Sequence, residues 1–443
     1  MTVFPTMYQV KQSFPRPVVT DVAAATTAAL VTLHLDNKIS AGQKIGITVG
    51  SRGIQDLSTI LRTTALYIQS LGATPYFIAA MGSHGGGTEC GQREILESLG
   101  LTETALGAPV LTCAECNVIA HTPEGMPVYT LESARQMDGI LIVNRVKTHT
   151  SFKGRVESGL IKKIVVGLGG PKGAQQFHAF GPSELPRLLI EIGEIILREL
   201  PILGGVGIIE NAYEETALIR GVESNCMVEQ ESELLRHSKS LMPALPVDDI
   251  DLLIIQEMGK NYSGTGIDTN IIGRTQIQGV QEPQKPCIKR IAVFDLSEES
   301  HGNATGLGLA DFVTKKIVDT MDRTATYLNC LTSTFVMRAA IPMYFDSEKL
   351  LLEAALFSLS GIDPLNLRIV IIPNTLFLSD CLISESLLAE IEAIPRMTIS
   401  NVPHNLEFDS HGRLLIGSAF RKEADNKSVG SITESEDNPE QTW

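Results

Sequence analysis

Two histidines, His149 and His178, flank a segment that mixes cationic, glycine and aliphatic residues, with ESGLIKKIVVGLGG at 157–170 as its centre. Imidazole exchanges a proton near neutral pH, its reference pKa being about 6.5. It is also a good ligand for nickel, copper or zinc. Lys162 stands among apolar residues, and burial there disfavours its ammonium and favours a neutral, nucleophilic amine. A third histidine, His84, lies among glycines in GSHGGG (82–87), and glycines let a ligand approach the backbone closely. GSRG (50–53) supplies Ser51, Arg52 and Gly53. Where such a stretch ends a strand and opens a helix, backbone N–H groups bind anions, and a guanidinium matches phosphate. Each feature has an ordinary counterpart: a turn with a solvated arginine, a flexible glycine loop, a structural histidine, surface lysines. Their shared position in the fold is what makes them a candidate site.

That position follows from the elements around them. KIGITVG (44–50), TPYFIAAMG (74–82), DGILIVNRV (138–146) and GGVGIIENA (204–212) read as buried strands. Between them lie helical segments: 53–72, with Leu57, Ile60, Leu61 and Leu66 on one side and Gly72 as a stop, 89–100 behind Thr88 as N-cap, and 185–200. Strand and helix in alternation predict a mostly parallel α/β sheet, and ligands bind such sheets at the carboxyl ends of the strands. GSRG, GSHGGG and KTHTSFKG (147–154) each follow a strand, so one edge presents Arg52, His84 and His149 together.

A polar connection with prolines, HSKSLMPALPVDD (237–249), leads to a second α/β segment with strands at 249–256, 289–296 and 365–373. The expected organisation is a first domain over 1–240, a second over 241–420 and a disordered acidic tail over 421–443, with the site between two domains whose sheets are mostly parallel. An apolar content of 43% is ample for two cores. The formal net charge of −15 argues against nucleic acid, which needs a basic footprint, but leaves room for a small anion held by local cations. No run reaches the ~18 apolar residues of a membrane span, and MTVFPTMYQVKQSF lacks the basic-then-apolar order of a secretion signal. Seven cysteines do not form a disulfide framework, and Cys113-x-x-Cys116 lacks the second half of a zinc site, so the thiols read as ordinary and the compartment as cytoplasmic.

In order and spacing these residues resemble the nickel-dependent lactate racemase family. The likeness rests on Arg52 after a strand, His84 in its Gly-x-His loop, His149 in the next loop, Ser158-Gly159-x-x-Lys162, the glycines to Gly170, and His178. It covers roughly residues 40–215. The resemblance implies a nickel-pincer nucleotide, a pyridinium mononucleotide whose sulfur and carbon atoms hold nickel, delivered with the help of cofactor-assembly proteins. It implies Lys162 as the covalent anchor, with Lys163 the neighbouring alternative, and His178 as the nickel ligand. Arg52, with Ser51 and Gly53, would grip the phosphate, and His84 and His149 would be the acid/base pair of a 2-hydroxy acid racemase or epimerase. The chain departs from the family at Val49, where an acidic residue is usual, in the more basic stretch carrying Lys153 and Arg155, and in the second half.

A substrate carboxylate needs a cation. Lys260, in EMGKNYSGTGIDTN, is the first candidate and Arg274 the second, while Asn261, Asp268, Asn270, His301 and Asn303 could read further hydroxyls, as in a sugar acid. Competing classes are a metallohydrolase using the histidines as ligands, a nucleotide- or metal-binding homologue without turnover, and a nicotinamide dehydrogenase. No H-E-x-x-H element and no G-x-G-x-x-G after the first strand supports the first or the last.

Overall fold

The computed structural model describes residues 4–415, so the tail expected over 421–443 lies outside the described residues. The strands are β1 (Met7–Gln12), β2 (Lys44–Val49), β3 (Thr74–Ala79), β4 (Val110–Leu111), β5 (Cys116–His121), β6 (Pro127–Leu131), β7 (Gly139–Arg145), β8 (Ile202–Glu210) and β9 (Thr216–Glu223) in the first half. The second half adds β10 (Asp249–Met258), β11 (Cys287–Leu296), β12 (Phe312–Thr314), β13 (Met343–Phe345), β14 (Ile369–Ile372), β15 (Asp380–Ser384) and β16 (Met397–His404). They form two large, mostly parallel sheets and a small β5–β6 hairpin. The first large sheet has the order β4-β3-β2-β7-β8-β9, parallel except for the β8–β9 pair. The second has the order β13-β12-β11-β10-β14-β15-β1-β16, parallel from β13 to β14 and antiparallel beyond.

Both sheets are buried on both faces, which is why their central strands are continuous apolar runs rather than alternating ones. In β7, Ile140 and Ile142 join one core while Leu141 and Val143 join the core on the other face. In β10, Leu253 and Ile255 face one core and Leu252 and Ile254 the other. The helix Leu185–Glu199 buries Leu188, Leu189, Ile192, Ile195 and Ile196, a stripe worth roughly 1.5–3 kcal/mol per fully buried side chain. That helix packs on the turn Leu160–Lys162, so the core braces the segment that carries the candidate lysine.

Two features differ from the sequence expectation. The helix Met227–Ser240 runs through His237, so the connection between the two bodies begins only at Leu241. Strand β1 does not stay with residues 1–240: it inserts between β15 and β16 of the second sheet, with Val10 opposite Cys381 and Ile399. The strand buries Met7 and Val10 in the cores of the second body. Local sequence marks it as a strand, but only long-range pairing decides which sheet it joins.

Candidate functional site

The strand order of each sheet reverses at one point, and crevices open at the carboxyl ends of the strands there. In the first sheet the reversal lies between β2 and β7, with β3 beside β2. Ser51 and Arg52 follow β2, His84 follows β3, and Lys147 and His149 follow β7. In the second sheet the reversal lies between β10 and β14, and the loop with Lys260 follows β10. The two crevices face one another and form a single cleft of about 720 Å³ bordered by Ser51, Arg52, Gly53, His84, His149, Lys162, His178 and Lys260. Eight of the nine residues singled out from sequence therefore meet there. The ninth, Arg274, does not: its Nη1 pairs with Asp311 at 2.9 Å and its remaining donors go to the carbonyls of Leu309 and Ile288, which locks it inside the second body. Of the further polar residues, Asn261 borders the cleft, and Asp268, Asn270, His301 and Asn303 do not.

His84 shares a short hydrogen bond between its Nδ1 and Ser51 Oγ, so the β2 and β3 loops hold each other. Burial, with the charges of Arg52, Lys162, Lys163 and Lys260, pushes its pKa down to about 3. His149 sits in a loop closed by a Lys147–Ser158 backbone bridge. Its backbone N–H donates to Glu157 Oε2 at 2.7 Å, and Glu157, 0% exposed, also accepts from Lys239 Nζ at 2.7 Å. The ring stacks on Phe152, centroids 4.2 Å apart, and its Nδ1 accepts the Ser151 N–H at 3.0 Å. Burial, then Lys162, His178, Lys153 and Arg338, hold His149 well below the usual histidine range. Both imidazoles are thus neutral at pH 7.

Lys162 and Lys163 are separated by the geometry of their turn. The chain passes from the short helix Leu160–Lys162 into a π-helical segment, Lys163–Leu168, and then into the helix Gly170–His178. π-Turns are rare and recur at functional sites. Gly170 joins the last two with φ +64, and a Cβ there would come within 2.6 Å of Cys116 Sγ and of Leu131, so only glycine serves. Lys162 borders the cleft. Lys163 points elsewhere: its Nζ lies 3.4 Å from Ala80 O and fills the space that a side chain at Gly50 would need, 2.3 Å from a Cβ built there. Burial, with Arg52 and Lys163, pushes Lys162 down to about 8. His178 ends its helix with its pKa pushed down to about 4 by burial and by Lys162, which leaves a neutral imidazole free to bind a metal.

The second body contributes the far wall. Lys260 Nζ donates to Gly264 O at 2.6 Å and Asn329 Oδ1 at 3.2 Å, and burial followed by Arg52 pushes it down to about 8. Arg52 reaches across towards this loop, since a Cβ at Gly264 would stand 3.6 Å from its Nη2. Sequence reasoning missed Arg338, which also borders the cleft and bonds to the His149 loop. It lies in the short turn Val336–Ala339, far from any motif. Two carboxylates stand at the cleft edge, Glu210 and Glu214, and Glu210 is tied to Arg145 and to the Gln55 N–H. The protein is strongly acidic, yet Arg52, Lys162, Lys260 and Arg338 converge here and cations outnumber the carboxylates of the lining, and a cleft with an excess of one sign focuses its field on the opposite charge.

No family model matches the chain, and no curated protein matches its sequence. Among solved structures it is similar to the lactate racemase apoprotein from Thermoanaerobacterium thermosaccharolyticum, with a TM-score of 0.51 and 10% identity over 84% of this chain and 99% of that one. A Thermotoga maritima protein aligns at a TM-score of 0.46 and 10% identity, over 64% and 72% of the two chains. The chain has a lactate racemase-like fold: an α/β protein with two mostly parallel sheet bodies. Among the described residues no helix is long and apolar enough to cross a membrane.

Proposed function

We propose that this protein is a cytoplasmic racemase or epimerase of 2-hydroxy acids that works with a covalently held nickel-pincer nucleotide. The observation that carries the reading is the convergence on one cleft of residues 51–53, His84, His149, Lys162, His178 and Lys260. The residues fit such a group. Lys162 borders the cleft with an amine pushed down to about 8, suited to bond formation. Arg52 borders the cleft, and among the described residues its guanidinium is influenced by burial and by the like charge of Arg145 rather than by an acidic partner, which leaves it open to a phosphate. His178 is a single neutral imidazole. Among the described residues no three His, Cys, Asp or Glu side chains gather for a metal, so a metallohydrolase would lack its ligand set, while a metal already held by a nucleotide needs little more than His178.

Lys162 would tether the nucleotide, Arg52, Ser51 and Gly53 would hold its phosphate, and His178 would bind nickel. When bound, the group supplies a pyridinium ring that takes up and returns the C2 hydrogen as hydride, sparing the substrate a carbanion beside a carboxylate. The chain's own residues handle charge and protons. Lys260 holds the substrate carboxylate. His84 and His149 take the hydroxyl proton as the carbinol becomes a carbonyl and give it back, one histidine for each hand of the substrate. A pKa near 3 would make His84 a weak base. Burial is the main cause of that value, and an anion beside Arg52 and Lys260 would offset only the cations' share, so ligand binding would raise His84 part of the way towards the range that acid–base work requires.

Protein made alongside cofactor-assembly proteins should carry nickel and a mass adduct on the Lys162 peptide. Unmodified Lys162 in an active, nickel-replete preparation would overturn the cofactor assignment. A substrate deuterated at C2 should keep its label in the inverted product in ordinary water, and washout at low conversion would overturn hydride transfer.

A further inference from the structure

Arg338 belongs to the second body and is 2% exposed. Its Nη1 donates to Ser151 Oγ at 2.9 Å, and its Nη2 to Thr150 O at 3.2 Å and Thr275 O at 3.4 Å. The guanidinium lies over the Phe335 ring, 4.6 Å from its centroid, and Nε is buried without a partner. These donors are committed to the protein rather than offered to a ligand. Thr269 Oγ1 adds a second hold on Thr150 O at 2.6 Å, and Lys153 bonds across to Asn270. The second body thus grips the loop just after His149 at three places.

The consequence for His149 follows from one bond. Ser151 N–H donates to His149 Nδ1 at 3.0 Å. A backbone N–H can only donate, so Nδ1 must accept, and the neutral ring carries its proton on Nε2. His84 is different. Its Nδ1 partner is the Ser51 hydroxyl, which can donate or accept, so either tautomer is available.

We propose that Arg338 is a positioning residue through which the second body, by way of Ser151, fixes the orientation and tautomer of His149. In the arrangement described, the two histidines are unequal. His84 can expose a bare ring nitrogen in either tautomer. His149 has an N–H at Nε2 and becomes a base there only when the Ser151 amide lets go, which requires the Arg338 hold to slacken. Its catalytic meaning rests on the reading of His149 as a proton-handling group. The tautomer itself does not, and it is measured on the full chain without cofactor.

The test is nitrogen NMR of ¹⁵N-histidine-labelled protein at neutral pH in wild type, Arg338→Met, Arg338→Lys and Ser151→Ala. Wild type should show one His149 tautomer, with Nε2 protonated and Nδ1 bare. Arg338→Met should move the two His149 ring signals towards a mixture, while His84 and His178 keep theirs. Arg338→Lys, which can still reach one acceptor, should restore part of the bias. Unchanged His149 signals in folded Arg338→Met overturn the proposal, and so does an equal shift of all three histidines, which marks general loosening. If Arg338→Met does not fold, Ser151→Ala decides: it removes the hydroxyl that Arg338 holds and keeps the amide, and unchanged His149 signals there are equally fatal. An unmodified Lys162 in the holoprotein would sink the racemase reading and leave this result standing.

Discussion

Lys162 and Lys163 are adjacent, of the same type and both pushed down to about 8, Lys162 chiefly by burial and Lys163 by burial, yet only Lys162 borders the cleft. That contrast makes a quantitative prediction for the protein without cofactor. At pH 7 an amine of pKa 8 is neutral about one-tenth of the time, against roughly 4 × 10⁻⁴ for an ordinary lysine at about 10.4. The gain in nucleophile is roughly 250-fold. A less basic amine is also intrinsically less reactive. If amines follow the slope known for thiols, near 0.45, the net advantage falls to roughly 20-fold. Treatment with a small acylating reagent well below one equivalent, followed by peptide mapping, should therefore label Lys162 roughly 20 times faster than an ordinary exposed lysine. The rate should rise with pH and level off above about 8. Lys163, shut behind Gly50 and Ala80, should stay unlabelled despite its matching pKa. Equal labelling of Lys162 and Lys163 would refute the assignment of one to the cleft and one to the core. A Lys162 no faster than an ordinary exposed lysine would refute the depressed pKa.

Glu231 tests the support beneath that lysine. Its carboxylate is 0% exposed, accepts the Ile161 N–H at 2.7 Å at the start of the Leu160–Lys162 turn, and is pushed up to about 7 by burial. A folded pKa raised from 4.5 means that the stability this group allows is fully present below about pH 4.5 and is lost as pH rises through 7, by about 3 kcal/mol. Glu231→Gln should lack that loss, so denaturant titrations at pH 4.5 and 8 should show the variant gaining on wild type by about that amount, and parallel pH curves would count against it. Lys260→Ala should raise KM by about 10- to 100-fold, the value of a charged hydrogen bond, while leaving any adduct on Lys162 intact. An unchanged KM across candidate hydroxy acids would remove Lys260 from the substrate.

How much of this was legible in the sequence depends on the range of the interaction that decides each residue's place. His84, Arg52 and His149 were readable because each follows an apolar strand, and parallel topology brings strand ends together whatever the tertiary detail. Lys260 was readable for the same reason in the second sheet. Arg274 was misread because Asp311 and two carbonyls, all distant along the chain, claim its guanidinium. Arg338 was invisible: its partners Thr150 and Ser151 lie in the other body, and nothing in VMRA announces a contact with backbone carbonyls and a hydroxyl. Spacing favours Lys162 over Lys163 as the anchor, but the local cause of their different settings, a single π-helical segment, is not visible in it. Strand β1 shows the same limit at the level of the fold, since its local pattern does not say which sheet, or which neighbours β15 and β16, it joins.

The two sheets pose the same topological question twice and answer it jointly. Each reverses its strand order once, and each reversal alone would leave a shallow crevice. Set face to face, they make one cleft in which a phosphate-suited guanidinium from the first body and an ammonium from the second come close enough for Arg52 to depress Lys260. With nothing between them these cations repel, so an anion bound there is attracted by both walls and draws the bodies together. The Thr269, Lys153 and Arg338 contacts across the interface would then be reinforced by the ligand rather than opposed by it. The charge of −15 on the chain does not cancel this. Surface charges are screened over about 8 Å at physiological salt, so a small anion is not steered from afar and responds to the cleft only on arrival. The arrangement favours selection by fit within the cleft over speed of capture.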